Sequence, residues 1–191
     1  KNKARMLLQA TLKKSKEYLM IYDKEEVTNI QRDKYIKNVK RLILGEPLQY
    51  ITGKQEFMKL NFLVTKDVLI PRADTEILVE KGIEIAEKIA NPTILDLCTG
   101  SGAIAVSLAK YVKNVHICAT DISPKAIEIA KTNAELNGVK NNIEFIESNL
   151  FDKLKGKKFD IIVSNPPYIE TDTIKTLSKD VQNEPKLALD G

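Results

Sequence analysis

The sequence predicts an α/β fold with a mostly parallel sheet, preceded by a small amino-terminal helical domain. Two observations predict the sheet: apolar runs alternate with helical stretches, and polar residues stand at the carboxyl ends of these runs. The four runs comprise residues 93–98, 116–121, 143–147 and 159–164. Near-continuous apolar strands are typical of a parallel sheet that helices cover on both faces.

Helices are predicted between the strands and at the amino-terminal end. Apolar residues recur at helical spacing within residues 4–44, and Gly45 with Pro47 signals the end of that stretch. Residues 103–111 and 124–137 fit helices that connect the first three strands. These connections are the crossovers that a parallel sheet requires.

Three segments follow from these patterns. Residues 1–47 are expected to form the helical domain, and residues 71–191 the α/β domain. Residues 48–70 connect them, and apolar residues within 56–64 are compatible with a short β-hairpin.

The α/β domain is expected to open with the loop Pro71–Glu76, which leads into a helix. Asp74 or Thr75 is predicted to be the N-cap, since aspartate and threonine side chains accept hydrogen bonds from amides of a first helical turn.

Composition excludes several classes of protein. Apolar residues make up 43% of the chain and charged residues 29%, which is ordinary for a soluble globular protein. No apolar run approaches the length of a membrane span, and no signal-peptide pattern opens the chain, so we expect a cytoplasmic protein without membrane contact. Cys98 and Cys118 fall in predicted strands and are expected to be free thiols, and ligands for a metal site are lacking.

Charge is distributed unevenly along the chain. Residues 1–70 carry 15 Lys and Arg against 8 Asp and Glu, whereas residues 71–191 carry 15 against 18. The basic first third suits an anionic partner, either nucleic acid or an acidic protein. Lysines that are simply solvated on helix faces would produce the same balance, and both interpretations stay open.

The segment Asn165-Pro166-Pro167-Tyr168 carries the strongest functional signal. Each proline fixes its own φ and lacks an N–H, so the carbonyl groups here are expected to lack strand partners and to face a cleft. Asn165 adds a side-chain carbonyl and Tyr168 adds a flat face for stacking. Two acceptors and a platform suit a neutral NH2 group, although a plain Pro-Pro turn after a strand would share the prolines.

A glycine-containing turn after the first strand is the second signal, and its residues are Asp96, Leu97, Cys98, Thr99, Gly100, Ser101 and Gly102. Its glycines permit positive φ and close approach of a ligand. The spacing fits a dinucleotide fingerprint only with Ala105 in the third position, and no Walker-type sequence occurs. An acidic residue before the glycines would repel phosphate but suits a cationic amino-acid ligand.

Polar residues close the other strands as well. Asp121 ends the second strand, where a carboxylate can accept both hydroxyls of a ribose. Asn149 and Asn165 follow the third and fourth strands. Because ligands of open α/β sheets collect at the carboxyl ends of the strands, we expect these residues to meet at one site.

These motifs resemble those of class I S-adenosylmethionine-dependent methyltransferases, which have a Rossmann-like fold. The loop Pro71–Glu76, the basic helical domain and the tail Glu184–Gly191 narrow the resemblance to the release-factor glutamine N5-methyltransferases, the HemK or PrmC family. The resemblance covers essentially the whole chain. It implies methyl transfer from S-adenosyl-L-methionine, leaving S-adenosyl-L-homocysteine, to a glutamine amide in the Gly-Gly-Gln motif of peptide chain release factors.

The resemblance also implies roles for individual residues. The turn would wrap the methionine part of the cofactor, Asp121 would bind its ribose, and Asn149 and Leu150 would lie beside its adenine. The implied cofactor-binding set is Asp96, Cys98, Thr99, Gly100, Ser101, Gly102, Asp121, Asn149, Leu150 and Asn165. The implied substrate-binding set is Asn165, Pro166, Pro167 and Tyr168, of which Asn165, Pro166 and Tyr168 are the candidate catalytic residues. The helical domain, residues 1–47, would dock the release factor.

The chain departs from the family pattern at four points. Cys98 stands where glycine is common, Asn149 replaces a frequent aspartate, and Leu150 takes a position that is often aromatic. The class I sheet has seven strands, whereas four can be identified before Gly191, so we expect an incomplete sheet.

Three alternatives remain open at this point. Adenine and guanine methyltransferases of nucleic acids share the Asn165–Tyr168 motif, and contact with nucleic acid is compatible with the basic domain. Ribosomal-protein glutamine methyltransferases share the motif but typically lack the Asp-Thr-Glu of residues 74–76. A non-catalytic binding adaptor is the third alternative, which the intact motif disfavours.

Overall fold

The structure, a computed structural model, describes residues 2–191. Its helices are α1 (Asn2–Leu12), α2 (Lys16–Ile21), α3 (Asn29–Ile43), α4 (Leu48–Thr52), α5 (Asp74–Ala86), α6 (Ala103–Tyr111), α7 (Pro124–Leu136), α8 (Thr171–Ile174) and α9 (Lys179–Gln182). Its strands are β1 (Lys54–Phe57), β2 (Leu60–Leu63), β3 (Thr93–Leu97), β4 (His116–Asp121), β5 (Ile143–Glu147) and β6 (Ile161–Ser164).

The sheet of the α/β part is parallel, as the sequence predicts. Its strand order is β5-β4-β3-β6, so β3 lies between β4 and β6. Leu97 at the end of β3 is opposite Thr120 of β4 and Ser164 of β6. The segments that follow three different strands therefore begin at the same edge of the sheet. The α/β class predicted from the alternation of strands and helices is confirmed.

Helix α6 forms the centre of the core. Residues Ala103 to Ala109 are all buried, because the helix packs between the sheet and the flanking helices α5 and α7. A helix that is apolar on every side is typical of such a position. Its first residue follows the glycine turn directly, so the rigid core fixes that turn on its helical side.

The amino-terminal residues are helical, as predicted for 4–44, with two breaks. Ser15 and Thr28 are N-caps whose hydroxyl groups accept first-turn amides, and Gln31 completes a capping box with Thr28. Capping side chains of this kind favour starting a new helix over continuing the previous one. Val27, which fits the helical spacing, consequently lies before α3.

The hairpin expected within residues 56–64 is present as the antiparallel pair β1 and β2. The rings of Phe57 and Phe62 are buried and meet edge to face, with centroids 6.0 Å apart. Both rings belong to the same hydrophobic cluster as the parallel sheet and α6. The hairpin is thus part of the main core.

The predicted cap of α5 is wrong. The helix begins at Asp74 with Ala73 as its N-cap, and no side chain caps it. The hydroxyl of Thr75 instead accepts a long hydrogen bond from Asn165 (3.3 Å), and Glu76 accepts a backbone N–H of the hairpin. Tertiary contacts therefore occupy two of the side chains at this helix start.

Two predicted strands are shorter in the structure. Strand β3 ends at Leu97, so Cys98 lies in the turn and not in the strand, where the prediction placed it. Strand β6 begins at Ile161, not at residue 159. The Asp160 carboxylate accepts hydrogen bonds from both the N–H and the hydroxyl of Thr93, and the Asp160 N–H donates to the Thr93 carbonyl at 2.9 Å. Among residues 2–191, no helix combines the length and apolarity that crossing a membrane requires.

Asn133 of α7 joins three parts of the fold. Its side chain is completely buried, accepts the Leu63 N–H (2.7 Å) and donates to the carbonyl groups of Leu63 (3.0 Å) and Ser101 (2.8 Å). Strand β2 and the glycine turn are both held to α7 by this one amide.

We expect Asn133→Ala to lower the free energy of unfolding by about 2 kcal/mol or more, because it leaves buried backbone groups without partners. Urea unfolding would measure the change. Thr132→Ala on the same helix is the matched control: this exposed hydroxyl bonds only within its own helix, so a change within about 0.5 kcal/mol is expected. Equal effects of the two substitutions would contradict the structural role of Asn133.

Candidate functional site

The carboxyl edge of the parallel sheet opens into a cavity of about 600 Å³, a volume typical of small-molecule sites. Its wall is formed by the turn after β3, the end of β4 and the segments after β5 and β6. The predicted site residues found in this wall are Cys98, Thr99, Gly100, Ser101, Asp121, Asn149, Leu150, Asn165, Pro166 and Pro167. The glycine turn and the Pro-Pro corner thus face one shared space.

Three predicted site residues are not in the wall of this cavity. Asp96 is completely buried beneath the turn, and Gly102 packs against α7. Tyr168 is 77% exposed and lines a second recess of about 240 Å³. Asn165 and Pro166 line both spaces and therefore form part of the partition between them.

Asp96 braces the turn from below. One carboxylate oxygen, Oδ2, accepts the Thr99 hydroxyl (2.6 Å) and the Ala105 N–H (3.1 Å). The other oxygen, Oδ1, is buried without a partner in the described structure, as is the hydroxyl of Thr120 nearby on β4. Burial raises the pKa of Asp96 to about 7, and Asp121 adds to this effect, while the two hydrogen bonds oppose it.

The two glycines of the turn serve different purposes. Gly100 has φ +56°, and a Cβ placed on it would meet no atom within 4 Å, so its backbone faces open space. Gly102 has φ +79°, and a Cβ there would lie 2.9 Å from the Cβ of Ala130. One glycine keeps the cavity accessible and the other lets α7 approach closely.

Asp121 connects the end of β4 to the turn. Its Oδ2 accepts the Gly100 N–H (2.8 Å) and its Oδ1 accepts the Ser123 N–H (2.9 Å). A carboxylate has about four acceptor positions, so each oxygen can accept a further hydrogen bond. Both oxygens belong to a residue of the cavity wall and can accept a pair of hydroxyl groups.

Two residues of the wall have the backbone conformation that usually belongs to glycine. Cys98 has φ +63° and Leu150 has φ +45°. Such conformations cost about 1–2 kcal/mol in residues with a side chain, and they cluster at functional sites. The Cys98 thiol is free and half-buried. Burial, followed by the carboxylates of Asp121 and Asp96, raises its pKa.

The orientation of Asn165 follows from its contact with α5. Its Nδ2 donates to the Thr75 hydroxyl at 3.3 Å, whereas its carbonyl oxygen Oδ1 accepts no hydrogen bond from residues 2–191. Pro166 and Pro167 supply no N–H groups, so the corner presents acceptors without competing backbone donors. The arrangement can hold a group that donates two hydrogen bonds, such as a primary amide.

Sequence reasoning did not assign two stretches of the wall. The first is residues 66–72, from which Lys66, Asp67, Val68, Leu69, Pro71 and Arg72 line the cavity. The second is the tail, which contributes Pro185, Leu187, Ala188 and Asp190. Neither stretch has a periodic pattern, and only the family resemblance pointed to Pro71–Glu76 and to the tail. Within residues 2–191, no group of three or more His, Cys, Asp or Glu could hold a metal ion.

Comparisons with known proteins place this chain among methyltransferases. Residues 73–184 match the family "Methyltransferase small domain", and residues 1–53 match "PrmC N-terminal domain". The release factor glutamine methyltransferase of Clostridium acetobutylicum is 42% identical over 191 residues, covering 98% of this chain and 67% of the relative. That of Moorella thermoacetica is 45% identical over 167 residues, covering 87% of this chain and 59% of the relative. The chain thus spans about three fifths to two thirds of the length of these relatives.

A solved structure supports the same fold. The SAM-dependent methyltransferase from Agrobacterium tumefaciens superposes with a TM-score of 0.51 at 21% identity, covering 60% of this chain and 39% of that chain. At this level of identity the likeness concerns the fold alone.

The raised pKa of Asp96 predicts a pH-dependent difference in stability. The folded protein keeps the proton up to about pH 7, whereas the unfolded chain releases it near pH 4. Folding therefore retains a proton between these values, and its stabilising effect is lost as the pH rises through 7. Asp96→Asn does not titrate, so its free energy of unfolding should improve relative to the parent protein by at least about 1 kcal/mol between pH 5 and pH 8.

Urea unfolding of the ligand-free proteins at both pH values would measure this difference, and subtraction removes the contribution of all other groups. A difference that stays constant from pH 5 to pH 8 would mean that the buried carboxyl group is already ionised at pH 5.

Proposed function

This chain belongs to the family of release factor glutamine methyltransferases, and on that premise we propose that it transfers a methyl group from S-adenosyl-L-methionine to the N5 amide nitrogen of a glutamine in a peptide chain release factor. A cytoplasmic reaction is part of the proposal. The observation that carries it is the shared cavity, which the glycine turn and the Pro-Pro corner line together.

The polar groups in and beneath the cavity wall fit this cofactor. Asp96 and Thr120 each have a buried oxygen without a partner among the described residues, which suits a ligand with an ammonium group. Asp121 can accept further hydrogen bonds, which suits two ribose hydroxyls. The turn Cys98–Gly102 would hold the methionine part, and Asp121 the ribose. Asn149 and Leu150 would lie beside the adenine. The Asp121 carboxylate, joined by Asp96 once it has lost its proton, also favours a ligand that carries positive charge.

The residues of the corner would hold the substrate amide. Asn165 Oδ1 and the Pro166 carbonyl would each accept one amide hydrogen, and Tyr168 would pack on the glutamine from the second recess. When bound, the cofactor would supply a methyl group on a positively charged sulfur: the C–S bond would break as the N–C bond forms, which leaves the neutral thioether, and the methylated nitrogen would release one proton to solvent.

Orientation is the main contribution of the protein in this proposal. An amide nitrogen is a poor nucleophile because its lone pair is delocalised into the carbonyl group. Two fixed acceptors can turn that lone pair towards the donor and favour positive charge on the nitrogen. Effective molarities of about 10⁵ M or more from good orientation correspond to roughly 7 kcal/mol.

We also propose that residues 1–47 dock the protein substrate. Residues 1–70 carry a surplus of basic side chains, with 15 Lys and Arg against 8 Asp and Glu. The same surface charge would attract nucleic acid, which keeps methylation of an exocyclic amine as the second candidate. The Asn165–Tyr168 corner accepts either kind of NH2 group, so the acceptor must be identified by experiment.

Asn165→Ala should lower the rate of methyl transfer by about 100-fold, because the amide loses the acceptor that aligns it. Binding of S-adenosylhomocysteine, measured by calorimetry, should persist. Asn141→Ala, at an exposed position beyond the opposite end of the strands, is the control and should change neither quantity. Equal loss of cofactor binding and methyl transfer would remove Asn165 from its role towards the substrate.

The acceptor itself can be tested directly with cofactor labelled at the methyl group. We expect label in a release factor, at the glutamine of its Gly-Gly-Gln motif, and none in RNA, DNA or ribosomal protein. Labelling of RNA or DNA alone would favour the second candidate, and cofactor binding without any transfer would favour a binding adaptor.

A further inference from the structure

Glu184 is a buried carboxylate that joins distant parts of the chain. Its side chain is only 2% exposed. Its Oε1 lies 2.5 Å from Nη2 of Arg72, and its Oε2 accepts the N–H of Ile70 at 3.0 Å. These partners are 112 and 114 residues away in sequence. We call residues 66–72 the roof segment and residues 183–190 the tail strap.

The Glu184 contacts hold together two stretches of the cavity wall. Leu69 and Pro71 flank Ile70 and line the cavity from the roof segment, and Pro185 and Ala188 line it from the tail strap. Burying a carboxylate is costly unless it is paired and hydrogen-bonded, and both oxygens of Glu184 are occupied. Glu184 therefore contributes to holding the roof segment, together with the Tyr50 hydroxyl, which donates to the Val68 carbonyl at 2.6 Å.

Arg72 connects the Glu184 contacts with the residues proposed to bind the substrate. It lines both the large cavity and the smaller recess, as do Thr75, Asn165 and Pro166. Its guanidinium group has five N–H donors, and within the described residues its side chain bonds only to Glu184. The remaining donors are available for carbonyl oxygens of a bound peptide, since the arginine side chain is 40% exposed.

We propose that Glu184 is a positioning residue for methyl transfer, which holds the roof segment in place and fixes Arg72 beside Asn165 for contact with the peptide backbone of the substrate. This inference rests on the proposed function, because it concerns the same site. Glu184 acts through Arg72 and through the roof segment, and it is proposed to touch neither the methyl donor nor the glutamine.

The test uses Glu184→Gln, Arg72→Gln and the double variant. We expect each single variant to lower kcat for the release factor by about tenfold or more at saturating substrates. The double variant should lose less than the product of the two single losses, because part of the effect of Glu184 passes through Arg72. All rates are compared well below the unfolding midpoint of each variant.

Glu144→Gln is the control. Glu144 also pairs with a basic side chain, Lys157, at 2.5 Å between Oε2 and Nζ, but neither residue lines the cavity or belongs to residues 1–47. A loss of stability with unchanged kcat is expected for this control. If Glu184→Gln behaves in the same way, the pair is merely structural and the proposal is overturned. Additive effects of the two single variants would overturn it as well.

Hydrogen exchange separates this proposal from the proposed function. Glu184→Gln should accelerate amide exchange in residues 66–72, whereas Glu144→Gln should not. If the parent protein transfers no methyl group to a release factor, the proposed function fails, and the exchange measurement still tests the contact. Unchanged exchange in the roof segment overturns the positioning role in either case.

Discussion

The parallel pairing of β3 with both β4 and β6 is the constraint on which the site depends. Further hydrogen bonds connect these strands at their carboxyl ends. The Thr99 N–H donates to the Thr120 carbonyl (2.8 Å), and the Ser164 hydroxyl donates to the Leu97 carbonyl (2.7 Å). A shift of one residue in this pairing would move Asp121 to the other face of the sheet. The chemistry of the cavity thus requires one register of three strands.

Local patterns predict much of this arrangement. The end of an apolar strand identifies the position of Asp121, and glycine spacing identifies Gly100, because both depend on only a few neighbouring residues. The first turn of α5 shows where such reasoning ends. Threonine is a common N-cap residue, yet the Thr75 hydroxyl contacts Asn165, 90 residues away. Contacts of this range depend on tertiary packing, which local patterns do not reveal. For the same reason, the contacts of Glu184 with Arg72 and Ile70 could not be predicted from the sequence.

The tail strap links the cavity to the amino-terminal helices as well as to the roof segment. Asn183 directly precedes Glu184, and its side-chain amide donates to the carbonyl of Gly45 at 3.0 Å. Gly45 has φ +91°, which is strained for a residue with a side chain, and a Cβ on it would lie only 3.0 Å from that of Lys179, so this position favours glycine. Gly45, which signals a helix end in the sequence, thus also contacts the tail strap through its carbonyl group.

The position of Cys98 has a consequence for chemical self-protection. Thiols react with alkylating agents as thiolates, and this sulfur belongs to the wall of a cavity proposed to contain a methyl donor. Burial, followed by the neighbouring carboxylates, raises the pKa of this thiol and so lowers the small thiolate fraction that an ordinary cysteine has at neutral pH. The carboxylates that suit a cationic ligand therefore also slow the reaction of Cys98 with an alkylating cofactor.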